Sequence, residues 1–204
     1  MQFSIKQSQL KAMLILAPKS EIRYYLCGIF VEYNQDITRL VVTDGHKLGV
    51  LNHRSEDNNG VGSLIIPREV IENLPKTSAK SDPLLIFKKC DDNASGWTII
   101  ASHTQIVFQQ IEGTFPDYRR VCQFTTDGTA SNFNYEYLVQ FLKVQHALGG
   151  SKGLTINLYQ NGNSSALVHL AGVDNFVGVV MPIRADSTNQ VGATVSMDFT
   201  SVLA

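Results

Sequence analysis

The chain has 204 residues, 44% of them hydrophobic and 17% charged, with a formal net charge of −1. That length buries the core of one large domain or two small ones, and that composition excludes a fibre and a disordered chain. A nearly neutral total supplies no global pull toward nucleic acid, although a local basic face on a neutral molecule stays open. No apolar run approaches the ~20 residues that span a bilayer, and the opening M-Q-F-S-I-K-Q-S-Q-L lacks the cationic and apolar regions of a signal peptide. The expected location is the cytoplasm, with no membrane partner. Cys27, Cys90 and Cys122 are far apart and odd in number, which argues against a disulfide framework and against a zinc site. No metal or other cofactor is expected.

In chain order the same succession of elements occurs three times. The first unit opens with the strand F-S-I-K and a helix over residues 7–16, whose Leu10, Met13, Leu14 and Ala17 fall at helical spacing before Pro18 stops it. Strands follow at residues 23–33, 38–44 and 46–51, parted by turns at 34–36 and 44–45. The second unit starts with S-L-I-I as a strand and Pro67 in the first turn of a helix. Its strands are P-L-L-I-F-K-K-C, G-W-T-I-I-A-S and Q-I-V-F-Q-Q-I. The third unit opens with A-S-N-F-N-Y-E-Y-L-V-Q-F-L-K-V, a strand leading into an amphipathic helix, and continues through G-L-T-I-N-L-Y, S-A-L-V-H-L-A and F-V-G-V-V-M-P-I as strands. Each unit is β-α-β-β-β. The expected class is therefore α+β, with helices segregated to one face of the sheets.

Four motifs sit at corresponding places in this frame: R-Y-Y-L-C-G, T-D-G-H-K-L, F-P-D-Y-R-R-V and V-V-M-P-I-R. Together and in this order they resemble the bacterial sliding clamp, the beta subunit of DNA polymerase III, over about residues 3–185. The resemblance implies a DNA clamp-like fold in which two β-α-β-β-β halves make a domain and six domains ring duplex DNA. It also implies a truncation. Residues 1–118 are similar to the family's whole middle domain, whereas 119–204 resemble only the second half of its last domain plus an extra tail.

What the resemblance implies for function is binding without catalysis: a replication processivity factor or accessory protein that receives the clamp-recognition peptides of polymerases and repair factors. Carried over residue by residue, the peptide pocket falls on Arg23, Leu26, Thr43, Gly45, His46, Leu48, Pro116, Arg120, Val121, Asn134, Tyr137, Val179, Val180, Met181, Pro182 and Arg184. Nonspecific contacts with double-stranded DNA fall on Arg23, Tyr24, Lys11, Arg68 and Lys143, with Lys19, Lys76 and Lys80 as further phosphate partners, although most helix lysines are simply solvated. Three positions depart from the family pattern: Lys47 replaces an arginine, Asn163 stands on a usually apolar rim, and Ala185 replaces a terminal apolar residue.

Alternatives stay open at this point. The chain either assembles into a homo-oligomeric ring or acts as a monomeric or dimeric decoy for clamp-binding proteins, as a mobile element would use. The tail, with its strand-like A-T-V-S-M-D-F, either covers the groove, pairs with an open sheet edge or begins a fourth unit. From another class, an enzyme would reuse the groove with His46, Asp44 and Arg184 as its polar set.

Overall fold

The computed structural model describes residues 1–76, 81–90, 94–101, 104–122, 125–150 and 155–183. The tail, Arg184, Lys80 and His103 lie outside these residues. The first unit comprises β1 (Gln2–Lys6), α1 (Gln7–Leu14), β2 (Ile29–Tyr33), β3 (Ile37–Thr43) and β4 (Lys47–Arg54). The second comprises β5 (Gly62–Ile66), α2 (Arg68–Glu72), β6 (Leu84–Lys89), β7 (Gly96–Ala101) and β8 (Thr104–Gln109). The third comprises α3 (Tyr135–Ala147), β9 (Ile156–Tyr159), β10 (Ala166–Leu170) and β11 (Phe176–Val180). The class is α+β, as the repeated pattern requires.

Two antiparallel sheets result. One has the order β1-β6-β7-β8 and the other β5-β2-β3-β4-β11-β10-β9. The first two units exchange their opening strands, β1 lying on β6 and β5 on β2. The third unit joins the first by pairing β11 with β4, which puts Gly178 directly opposite Gly49. Both glycines sit at close packing: a Cβ on Gly49 would stand 2.5 Å from Leu16 Cδ1, the tip of a flexible side chain, and one on Gly178 2.6 Å from Phe141 Cε1.

Inward residues of the strands and the apolar faces of α1 and α3 share one core, in which Phe3 stacks on Phe87 at 4.6 Å and on Tyr33 at 4.9 Å between ring centroids. Helix α1 has no capping side chain of its own; instead the distant Asp82 carboxylate accepts from Ser8 N (2.9 Å) and Ser8 Oγ (2.7 Å) at its first turn. At the other end Arg68 of α2 donates to the carbonyls of Leu14, Ala17 and Pro18, and pairs with Glu72 at 2.9 Å. These orphan carbonyls of a helix end need donors. We expect Arg68→Ala to cost about 1–3 kcal/mol through lost charged hydrogen bonds, and Arg68→Lys to recover only part because one ammonium lacks the guanidinium's fork. Urea unfolding midpoints at constant m-value measure both.

Two sequence expectations are corrected. Residues 23–33 are not one strand: Tyr24–Leu26 form a 3-10 turn closed by Leu26 N on Arg23 O (2.8 Å) and Cys27 N on Tyr24 O (3.0 Å), and β2 begins only after Gly28. The strand expected before α3 is reduced to the isolated bridge Asn132 to Ile183. The reason is topological, since β1 and β5 each become strands by pairing with the other unit, and the third unit has no described partner of that kind.

Candidate functional site

The site grows from a tight turn between β3 and β4. Asp44 Oδ1 accepts from the backbone N–H of His46 and of Lys47, both at 2.9 Å, and Thr43 Oγ1 accepts from Gly45 N (3.0 Å) while donating to Lys47 O (2.8 Å). Gly45 sits at φ +92°, a conformation that side-chain-bearing residues rarely adopt. The Asp44 carboxylate also meets the Lys47 ammonium, whose side chain is only 4% exposed. Burial opposes the charge on Asp44, but the Lys47 contact and the two backbone donors outweigh it and hold the carboxyl below its usual range.

Beside this turn lies the segment connecting the second and third units. Its Phe115 ring stacks on Phe30 at 4.6 Å, and Tyr118, in a 3-10 turn over Tyr118–Val121, packs with Val41, Leu48 and Val179 on the outer face of the large sheet. Tyr118 is fastened at its hydroxyl, which donates to Glu32 (2.5 Å) and accepts from Arg39 (3.1 Å). Arg119 pairs with the same Glu32 at 2.7 Å. The third wall is the end of β11, tied across the seam by Met181 N donating to His46 O at 2.8 Å.

Between these walls opens a cavity of about 200 Å3. Of the residues named from the sequence, Arg23, Leu26, Thr43, Gly45, His46, Leu48, Pro116, Val121, Val179 and Met181 line it. Its floor is apolar and buried, with Leu26, Leu48 and Val179 each under 5% exposed, whereas Met181 at 41% and Val121 at 45% form an accessible rim. Lys47, Asp117 and Tyr118 also line it and were missed by sequence reasoning. The Asp44–Lys47 pairing, three residues apart across a turn, was a usable signal for Lys47. The burial of Tyr118 was not, because it depends on Glu32 and Arg39 from other strands.

The remaining named residues sit elsewhere. Arg120 extends into solvent, paired with Asp117 at 3.1 Å. Asn134 caps α3, its Oδ1 accepting from Glu136 N at 2.9 Å. Tyr137 stands behind the turn, its ring 6.1 Å from that of His46 and 4.8 Å from Lys47 Nζ. Val180 turns into the core, and Pro182 follows Met181 outside the lining. Among the residues named for DNA, Arg23 belongs to the cavity and donates to Asp44 O (3.2 Å), Tyr24 is exposed, and Lys143 is exposed on α3. Lys11 donates to Pro75 O (3.3 Å), and Arg68 is occupied at the end of α1.

Among the described residues, no cluster of three or more His, Cys, Asp or Glu is arranged to hold a metal. Likewise, no described helix is long and apolar enough to cross a membrane.

Comparison with known proteins gives this geometry a context. Residues 3–117 match the family model for the DNA polymerase III beta subunit, central domain. The Beta sliding clamp of Vibrio cholerae is 27% identical over 168 residues, covering 79% of this chain but only 44% of that protein. A crystal structure of the DNA polymerase III subunit beta from Pseudomonas aeruginosa superposes with a TM-score of 0.71 at 23% identity, covering 91% of this chain and 66% of that one. A sliding clamp from Bartonella birtlesii bound to griselimycin gives a TM-score of 0.67 at 20% identity, covering 90% and 66%. At these identities the two solved structures show a shared fold. With a family match running through both sheets and more than half of its length, the chain belongs to the DNA polymerase III beta subunit family, the sliding clamps.

Proposed function

We propose that the chain is a sliding-clamp-like accessory protein of DNA replication, with a complete domain over 1–118 followed by a half-domain over 119–204, that captures clamp-recognition peptides. The observation that carries this reading is the cavity at the β4–β11 seam, whose buried apolar floor and accessible Met181 rim suit a Leu or Phe anchor. Such an anchor gains about 1.5–3 kcal/mol on burial, and the thioether of Met181 adapts to anchors of different shape. Arg23 and His46 at the mouth supply the polar groups that orient a ligand.

Fluorescence anisotropy with a labelled Gln-Leu-x-Leu-Phe peptide tests this. Met181→Ala is expected to weaken binding about tenfold or more, and Leu48→Ala to abolish it. Unchanged affinity in both variants overturns the groove. Catalysis is disfavoured by the same turn, since both oxygens of Asp44 are engaged by backbone N–H groups and Lys47, leaving no free carboxylate to orient the His46 ring. A decoy that binds such peptides without encircling DNA is the second reading. The engagement of Arg68 within the fold favours it, because its guanidinium is held by carbonyls and its charge is paired with Glu72.

A further inference from the structure

A second cavity lies at the opposite end of β4 from the first. The strand begins beside the first cavity at Lys47 and ends at Arg54, about 23 Å away at the rise of an extended strand. There Lys6, Gln9, Asn52, His53, Arg54 and Asn175 line a space of about 630 Å3. The fold fixes their positions. Arg54 ends the β3–β4 ladder opposite Ile37. Asn52 is locked to Asn175 by two hydrogen bonds, Asn52 N donating to Asn175 O (2.9 Å) and Asn175 Nδ2 to Asn52 O (2.8 Å). Lys6 ends β1, and Gln9 follows in the first turn of α1. Lys6, Arg54 and Asn175 are exposed at the rim, whereas Gln9, Asn52 and His53 are half-buried inside it.

The lining is chemically unbalanced. Among the described residues, neither Lys6 nor Arg54 has an ion pair or a side-chain hydrogen bond. Gln9 Oε1 is buried with no hydrogen-bond partner, a rare condition in a native fold that a bound ligand or water relieves. Burial and the nearby Lys6 charge hold His53 below the usual histidine range, against the weaker opposing pull of Asp82. That acid is itself engaged by Ser8 N and Ser8 Oγ at the start of α1. An anion arriving here would therefore meet two unpaired cations and an imidazole able to gain a proton.

We propose that this cavity binds a small phosphate-bearing molecule. Lys6 and Arg54 hold the phosphate, the guanidinium through the paired N–H groups that match phosphate oxygens. His53 and Gln9 meet the ligand further in. The space exceeds what a lone phosphate fills and falls within the ~300–1,000 Å3 of small-ligand clefts. Asn52 Nδ2 is free to bind the rest of the molecule, because Arg39 occupies only Asn52 Oδ1. A nucleic-acid backbone carries the same phosphate chemistry, but a duplex reaches the exposed rim and not the buried Gln9 Oε1. The proposal is independent of peptide capture at the first cavity.

NMR of the His53 ring on the full chain, titrated with pyrophosphate at constant ionic strength, tests this. The ring signal is expected to shift saturably, and its titration midpoint to rise by about one pH unit or more when pyrophosphate is bound. Lys6→Ala and Arg54→Ala are each expected to weaken pyrophosphate about tenfold, while Lys143→Ala, at an exposed position on α3, is expected to leave it unchanged. No saturable shift overturns the proposal. So does pyrophosphate binding that survives both rim variants, or that Lys143→Ala weakens equally, because the anion then sits elsewhere. A His53 ring that responds to a short DNA duplex but not to pyrophosphate assigns the rim cations to nucleic acid and overturns the small-molecule site.

Discussion

Asp44→Ala is expected to lower folding stability by about 3 kcal/mol, the low end for stripping one partner from a buried ion pair. The Lys47 side chain is 4% exposed and, among the described residues, keeps the Tyr137 ring, 4.8 Å from its Nζ, when the carboxylate is gone. Asp44→Asn separates the two jobs of this residue. Its amide oxygen still accepts from His46 N and Lys47 N, so the turn persists, but the charge that balances Lys47 is lost. Urea midpoints for the two variants should therefore differ by the capping contribution, about 1 kcal/mol. The pH dependence has a definite sign. Because the folded carboxyl sits below its usual range, its contribution is present above the unfolded value near 3.8 and is lost as pH falls through the folded value. The unaltered chain and Asp44→Asn should converge in stability on acidification below about pH 4, and a gap that stays constant there would show that Asp44 contributes no charge-dependent stability.

Gly178→Val is expected to destabilise the chain by about 3 kcal/mol, at the upper end for overpacking a core. Its Cβ would meet Phe141 Cε1 at 2.6 Å and Val168 Cβ at 3.0 Å, and neither a ring pinned in the core nor a strand Cβ can move aside cheaply. Gly49 opposite is more forgiving, because the nearest atom there is the tip of the Leu16 side chain. The seam carries function as well as stability. Val179 and Leu48 follow and precede the two glycines and form the cavity floor, so a seam wedged open should also lose peptide affinity. Val177→Ala, at an exposed position on the same strand, is the control and should stay within about 0.5 kcal/mol. Thermal unfolding and the anisotropy titration read both effects. A Gly178→Val chain as stable as the control would mean that Phe141 has room that its packing does not suggest.

Much of the site was legible because local chemistry specifies it. T-D-G-H-K-L announces a turn through its aspartate and glycine, and the short apolar runs V-V-M and L-V-V mark the strands around it. Other parts could not be read this way. Asn134, expected at the peptide, caps α3 through its Oδ1, a use that an Asn before Y-E-Y equally supports. Arg68 was expected to face phosphate and is held by three carbonyls near the end of α1, a contact between residues fifty or so apart that no local pattern encodes. In the segment F-P-D-Y-R-R-V, the sequence distinguishes neither arginine from the other. The fold does, by setting Glu32 beside Arg119 and leaving Arg120 to Asp117.

The sequence by itself determined two β-α-β-β-β units and a third helix followed by three strands, the α+β class and the resemblance to sliding clamps, because hydrophobic periodicity, turn residues and short motifs are all written within a few neighbouring positions. Only the tertiary structure decided which strands share a sheet, that the third unit is welded to the first through β11 and β4, and which side chains converge on the cavity. Those are long-range choices. They follow from which faces can be buried together and from the space two opposed glycines leave for Phe141 and Leu16, and a one-dimensional pattern carries neither.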